Sequence, residues 1–306
     1  AISARRLAAL HRLQAGKARA QLIVTTANAV LQRVLTPFRI RESVREFKPG
    51  VEIGRESLSA LLQRQGYSRT DTVIDKGEYA VRGSIVDIFP SGMDEALRLD
   101  FFGDELESLR SFDPNTQMST GRLDSHLLLP ASEALLDEDS IKRFRSRYRE
   151  MFGANATQDP LYEAVSEGRR LAGMEHWLPL FHEEMDTLLS YVKNCIVISD
   201  HQLEEAVISR WELICECYNA RSDMKDRGLS VSETTYNPLP VNKLYLSLEE
   251  MNAVFSDFKQ IQFQQFAVSS DPSNISSKIS KLVSTLFLSL AIERQVSKRA
   301  ISMRAF

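Results

Sequence analysis

Three groups of residues in this 306-residue chain have types that could do chemistry. Gly16-Lys17 resembles the end of a phosphate loop, in which backbone amides cradle phosphates and the lysine reaches them. The glycine expected five residues upstream is missing, and Ala18 stands where a Ser or Thr hydroxyl would hold magnesium. Asp94-Glu95-Ala96 has the composition of an acidic helicase box. It falls in a predicted turn between strands, with no phosphate loop to serve. His176 and His182 lie near Glu175, Glu183 and Glu184. A metal needs at least three converging ligands, and a histidine spacing of six fits no common helical site. No local pattern suggests a Ser-His-Asp or Cys-His set, although such sets are recognised by geometry. The reading is a chain without catalysis, cofactor or metal. Cys195, Cys215 and Cys217 form an odd, sparse set that fits a reducing cytoplasm better than a disulfide framework.

The informative stretch is Gly77–Arg110, GEYAVRGSIVDIFPSGMDEALRLDFFGDELESLR. Successive strand side chains point to opposite faces. Ile85, Asp87 and Phe89 therefore share one side, and Ser84, Val86 and Ile88 the other. In the next strand Arg98, Asp100 and Phe102 lie opposite Leu97, Leu99 and Phe101. Arg offers directional, bidentate contacts and Phe an apolar anchor. An exposed stripe of both, with acids beside it and Arg82 close by, suits a protein-binding surface. Equally, Arg98 and Asp100 could be ordinary solvated strand residues.

The elements around this stretch read as follows. Leu7, Leu10 and Leu13 recur at three-residue spacing within 3–15, which predicts an amphipathic helix. Arg5, Arg6, Arg12, Lys17 and Arg19 would form its solvated face. Gln21–Thr26 is a short β-branched run, predicted as a strand. Asn28 can cap a following helix carrying Val30, Leu31 and Val34, with Pro37 ending it. A helix is expected at Glu56–Gln65, then strands at Glu78–Val81, Gly83–Phe89, Ala96–Phe102 and Glu105–Phe112, with turn signals at Ser91-Gly92, Gly103-Asp104 and Asp113-Pro114-Asn115. Ile141, Phe144 and Tyr148 share a face of a helix at 140–150. Further on, strands are expected at Asn194–Ser199, Lys243–Leu246 and Gln260–Val268, and helices at Gln202–Tyr218 and Leu248–Asp257. The Ser-rich, basic tail 271–306 could hold an apolar helix at Ile279–Val296 or serve as a linker. No apolar run reaches the roughly 18 residues of a membrane span, so no membrane is expected.

Charge narrows the partners. The whole chain is at −3. Residues 1–43 hold eight Lys/Arg against one acid, Glu42, while 44–130 hold ten against fifteen Asp/Glu. Phosphate contacts need cations, so the middle segment is a poor general nucleic-acid binder.

Tyr79–Pro90 (YAVRGSIVDIFP) followed by Arg98–Glu105 (RLDFFGDE) resembles domain 2 of the transcription-repair coupling factors (Mfd) and the homologous module of the excinuclease protein UvrB. Thr25–Val34 resembles the strand and helix before that domain. Gly173–Phe181 (GMEHWLPLF), with Leu188–Tyr191, is similar to domain 1b of the coupling factors in particular. The resemblance covers roughly 1–265. It implies an α/β fold: an incomplete RecA-like domain of the UvrB domain 1a type, with small α+β domains inserted. Residues 1–43 would be the first segment of domain 1a, 44–130 domain 2, 131–192 domain 1b, 193–270 the returning segment of domain 1a, and 271–306 the linker or tail. It further implies that domain 2 binds the excinuclease protein UvrA, with the family's partner-binding residues falling on Arg82, Arg98 and Phe102. RNA polymerase and DNA would be bound by other domains, which would also hold the ATP-driven translocase. The alternative is a DNA-handling fragment of a UvrB-type helicase or excinuclease, which would bind duplex in a salt-sensitive way through 1–43. The chain begins without Met and in mid-helix pattern. Loss of the first domain 1a strands would expose sheet edge and favour self-association.

Overall fold

The computed structural model describes residues 2–14, 22–153, 159–226 and 237–263. Helix α1 (Ile2–Gln14) buries Ala4, Leu7, Ala8 and Leu10, as the spacing predicts. Arg5 and Arg12 are exposed, but Arg6 departs from the expected solvated face and pairs with Glu133, whose side chain has no exposure. Gly16, Lys17 and Arg19 lie outside the described residues.

The strand predicted over 21–26 does not form in the described part. Residues 22–26 pair with no strand, and Leu22 and Val24 stand exposed. Thr26, rather than Asn28, caps α2 (Ala27–Leu31), its Oγ1 accepting from the Ala29 N–H at 3.3 Å. That helix stops before Val34. Pro37 opens the next helix, α3 (Pro37–Ser43), under a Thr36 cap. Proline suits a first helical position, where its missing N–H would have had no partner.

Strand β1 (Arg45–Phe47) leads to α4 (Arg55–Arg64). The main sheet follows: β2 (Ser68–Arg69), β3 (Glu78–Arg82), β4 (Ile85–Ile88), β5 (Ala96–Phe102), β6 (Glu105–Phe112) and β7 (Ser119–Leu123). They lie side by side in sequence order, with β2 parallel to β3 and the other pairs antiparallel. β8 (His126–Leu128) then pairs antiparallel with β1, so the chain enters and leaves the sheet region side by side. Tyr79, Val86, Ile88, Leu97, Leu99, Phe101 and Leu109 form a core with Leu58 and Leu62 of α4. Each such burial stabilises by roughly 1.5–3 kcal/mol. On the other face Val73, Ala80, Phe89, Ala96 and Phe112 make a smaller cluster.

A second large core is helical. In α5 (Glu138–Phe152), Asp137 caps the first turn and Phe144 and Tyr148 are buried. They meet Tyr162 of α6 (Pro160–Ser166), and Phe144 stacks on Phe181 of α7 (Leu178–Phe181) at 4.6 Å. Strand β9 (Ile196–Ser199) precedes α8 (Leu203–Asp226). The strand expected at Lys243–Leu246 is replaced by the short helix α9 (Val241–Leu244) after Pro240, with an isolated bridge from Tyr245 to Gln32. Helix α10 (Leu248–Ser256) carries a capping box between Ser247 and Glu250, and β10 (Lys259–Gln262) pairs with β9. The sheet expected of a RecA-like domain is thus limited to two strands among the described residues. The observed class is mixed α/β, with the six-stranded sheet as its largest. The predicted helix at Ile279–Val296 and the tail 271–306 lie outside the described residues.

Candidate functional site

The face opposite α4 is built by strand register. Ala80, Asp87, Arg98, Arg110 and Arg122 are successive cross-strand partners, and so are Arg82, Ile85, Asp100 and Ser108. Cross-strand partners share a face, so Arg82 and Arg98 lie on one side of the sheet. Phe102, two residues beyond Asp100, ends β5 on that side.

Two hairpin turns present the far end of this face. Gly83 and Gly103 each take the first central position of a two-residue loop, at φ 60° and 62°. Glycine is the residue that reaches such values without strain, and this placement fits hairpins twisted like their strands. The turns leave Arg82 and Phe102 at the same end of the sheet. Phe102 is 79% exposed, the largest value among the exposed large hydrophobics described.

The chemistry centres on Asp87, which has no exposure. Arg98 grips it as a fork, with Nε donating to Oδ1 at 2.8 Å and Nη2 to Oδ2 at 3.0 Å. Arg82 Nη2 also donates to Oδ2. Arg98 lies over the Phe112 ring at 4.6 Å and is only 14% exposed, so it does not stand outward as the stripe pattern predicts. The Arg82 side chain is 44% exposed. The hydrogen bond to Asp87 is the main cause that holds the Arg98 guanidinium above its ordinary value, against partial desolvation. A single buried carboxylate therefore orders two guanidinium groups, the geometry in which charge-assisted hydrogen bonds are strongest.

Two further groups complete the face, neither singled out by pattern. Arg110 donates to Asp100, which also accepts from Ser108 Oγ at 2.9 Å. This relieves the like-charge contact of Arg98 with Arg110 across the strands. Gln117 takes its main-chain oxygen to Arg98 Nη1 and its side-chain oxygen to Arg82 Nη2, both at 3.1 Å. The Asp113-Pro114-Asn115 turn signal located its loop, but nothing in the sequence disclosed what the glutamine would reach.

The other candidates are not brought together. Asp94 sits exposed in its turn and holds Lys76 at 2.9 Å, and that lysine keeps its carboxyl below the usual range. His182 is buried, with Nε2 2.8 Å from the Glu133 carbonyl, whereas His176 is exposed. Burial pushes the His182 imidazole down to about 4. Among the described residues no group of three or more His, Cys, Asp or Glu could hold a metal ion, and no helix is long and apolar enough to cross a membrane.

Residues 46–133, which contain this face, match the family described as the UvrB interaction domain. The chain is 32% identical over 261 residues to the transcription-repair-coupling factor of Haemophilus influenzae, a match covering 85% of this chain and 22% of that protein. With the Escherichia coli K12 protein of the same name it shares 29% over 287 residues, covering 93% and 24%. With that of Bacillus subtilis it shares 30% over 227 residues, covering 67% and 19%. The chain spans about a fifth of the length of these curated relatives. Over most of its length, then, this chain is similar to the transcription-repair-coupling factors, and its residues 46–133 match the UvrB interaction domain family.

Proposed function

We propose that the sheet face of residues 46–133 is a docking surface for UvrA, through which a transcription-repair-coupling factor brings excision repair to stalled RNA polymerase. One observation carries the reading. A large aromatic ring, Phe102, stands 79% exposed at the end of a strand, on the same face as two arginines ordered by a buried carboxylate. Exposed aromatics and arginines are the residues that dominate binding energy at protein interfaces. Side chains already held in place lose less freedom on association. The match of residues 46–133 to an excision-repair interaction family supports the class of partner.

In this reading Phe102 enters an apolar pocket of the partner, Arg82 offers its free edge, and Arg98 sets the geometry beneath. The module works in the cytoplasm and needs no catalysis, cofactor or metal. Contacts with RNA polymerase and DNA, and ATP-driven translocation, fall to parts of the relatives that this chain does not span.

The test is a calorimetric titration of UvrA into the chain. Phe102→Ala and Arg82→Ala are each expected to weaken binding by about 2 kcal/mol, roughly 30-fold, as for a central anchor. Circular dichroism should stay unchanged. Wild-type affinity in both variants would refute the assignment.

A further inference from the structure

Gln117 is one of two non-glycine residues at positive φ among the described residues, with φ 60°. That backbone is disfavoured for any residue carrying a Cβ, and it persists where surrounding contacts over-determine it. The contacts are complete. The Gln117 N–H donates to the Asp113 carbonyl at 2.7 Å. Its Nε2 donates to the carbonyls of Val73 at 3.0 Å and Pro114 at 2.6 Å. Two carbonyl acceptors settle which end of the amide is which. The side-chain oxygen is thereby turned to Arg82 Nη2 at 3.1 Å, while the main-chain oxygen faces Arg98 Nη1 at the same distance.

We propose that Gln117 is a positioning residue of the docking face, which fixes Arg82 and Arg98 relative to each other from above while Asp87 fixes them from below. The proposal rests on the docking reading given above. Its weight falls on Arg82. That guanidinium is held through Nη2 alone, which donates both to Asp87 and to Gln117. Its Nε and Nη1 make no hydrogen bond among the described residues and so remain free for a carboxylate or carbonyl of the partner. With Asp87 as its sole acceptor, Arg82 could swing about one contact, and the free edge would no longer point in one direction. The Val73 and Pro114 contacts couple the loop before β3 and the loop after β6 to this arrangement, so two connecting segments converge on one amide.

The strained backbone supplies a test that separates positioning from folding. Gln117→Gly relieves the positive φ, because glycine populates that region freely, and removes the oxygen that faces Arg82. Gln117→Asn keeps an amide of a residue that tolerates the same backbone, but shortens it by one carbon. Three readouts are taken on the full chain: thermal midpoint, affinity for UvrA, and the arginine Nε–H resonances by NMR. The expected result for Gln117→Gly is a thermal midpoint close to wild type and affinity weakened roughly three- to tenfold, as when one charge-assisted bond no longer orients a guanidinium. The Arg82 resonance should broaden while that of Arg98, still held by Asp87, stays sharp. Gln117→Asn should show the same loss, and it stands in for the glycine variant if that chain fails to fold. Undiminished affinity in the folded variants overturns the proposal. If wild-type chain does not bind UvrA, the docking reading fails by itself. The positioning role is then judged by the spectra, and an Arg82 resonance identical in wild type and variant overturns it.

Discussion

Replacing Arg98 by alanine should damage the fold before it reveals anything about binding. Asp87 has no exposure and is held by three donor contacts, two of them from Arg98 at 2.8 and 3.0 Å. Arg98→Ala leaves Oδ1 without a partner and Oδ2 with Arg82 alone. It also removes the flat group that covers the Phe112 ring at 4.6 Å and the donor to the Gln117 carbonyl. Breaking a buried ion pair by removing one member typically destabilises by about 3–5 kcal/mol. Arg82 remains on the carboxylate, and the truncated site admits some water, so the loss falls at or just below the lower end of that range, about 2–3 kcal/mol. For a domain of this size each kcal/mol lowers the thermal midpoint by about 4–8 °C, which gives a loss of about 10–20 °C for the sheet region. The assay is urea unfolding of the full chain, followed by far-ultraviolet circular dichroism, since both tryptophans, Trp177 and Trp211, lie outside the sheet region. Phe102→Ala is the control, since an exposed ring that supports nothing should change stability by less than about 0.5 kcal/mol. A loss below about 0.5 kcal/mol for Arg98→Ala would refute the claim that Asp87 depends on it. Arg98→Glu is worse still as a binding probe, because it sets a second carboxylate against the first.

Other outcomes follow from the same geometry. The folded His182 takes up its proton near pH 4 against about 6.5 when unfolded, because burial penalises the cation. The unfolded chain therefore binds the extra proton first. Stability is intact above about 6.5 and falls by up to about 1.4 kcal/mol per pH unit between 6.5 and 4. His182→Gln should flatten that part of the profile, and an unchanged slope would contradict the assignment. Gly66 lies at φ 93°, and an added Cβ would stand 2.6 Å from the Ser132 Cβ and 3.1 Å from the Arg170 guanidinium carbon. Gly66→Ala should cost more than about 2 kcal/mol in chemical unfolding, and a neutral result would show that the neighbouring segment shifts freely. Leu22, Val24, Ile196 and Ile198 stand exposed, so the chain should self-associate as concentration rises. A clean monomer at every concentration in sedimentation would count against this.

The sheet region was the legible part of the sequence. From Glu78 to Phe112 the alternation of side chains and the turn signal at Gly103-Asp104 agree with each other, so local preference and register point to one answer, although Gly83-Ser84, read as the start of a strand, is the turn before β4. The same alternation placed Arg98 and Phe102 on one face, with Arg82 close by. It could not tell that Arg98 would lie flat, because that depends on Asp87 and Phe112, which meet it only after the strands pair. Gln21–Thr26 has strand composition, yet strand formation needs a neighbour, and none pairs with the described residues 22–26. At Thr36-Pro37 the signal was present but of opposite sense: Thr before Pro is a helix start as much as a stop. Pro240 acts in a similar way, turning Val241–Leu244 into helix where Leu244 and Leu246 suggest alternation. Gln117 was out of reach, since its partners lie 19, 35 and 44 positions away.

The sharing of Asp87 bears on ionic strength. Two cations and one enclosed anion leave a single positive charge, spread over two planar groups, of which Arg98 shed most of its hydration when the strands assembled. Dissolved ions screen well-separated, hydrated charges, over about 8–10 Å at ordinary salt, but have little purchase on groups already clasped together. A ligand settling there meets a prearranged grid of N–H bonds rather than a cloud of positive potential. Its grip would decline only gently as salt is added, unlike that of a lysine-rich arm on phosphate.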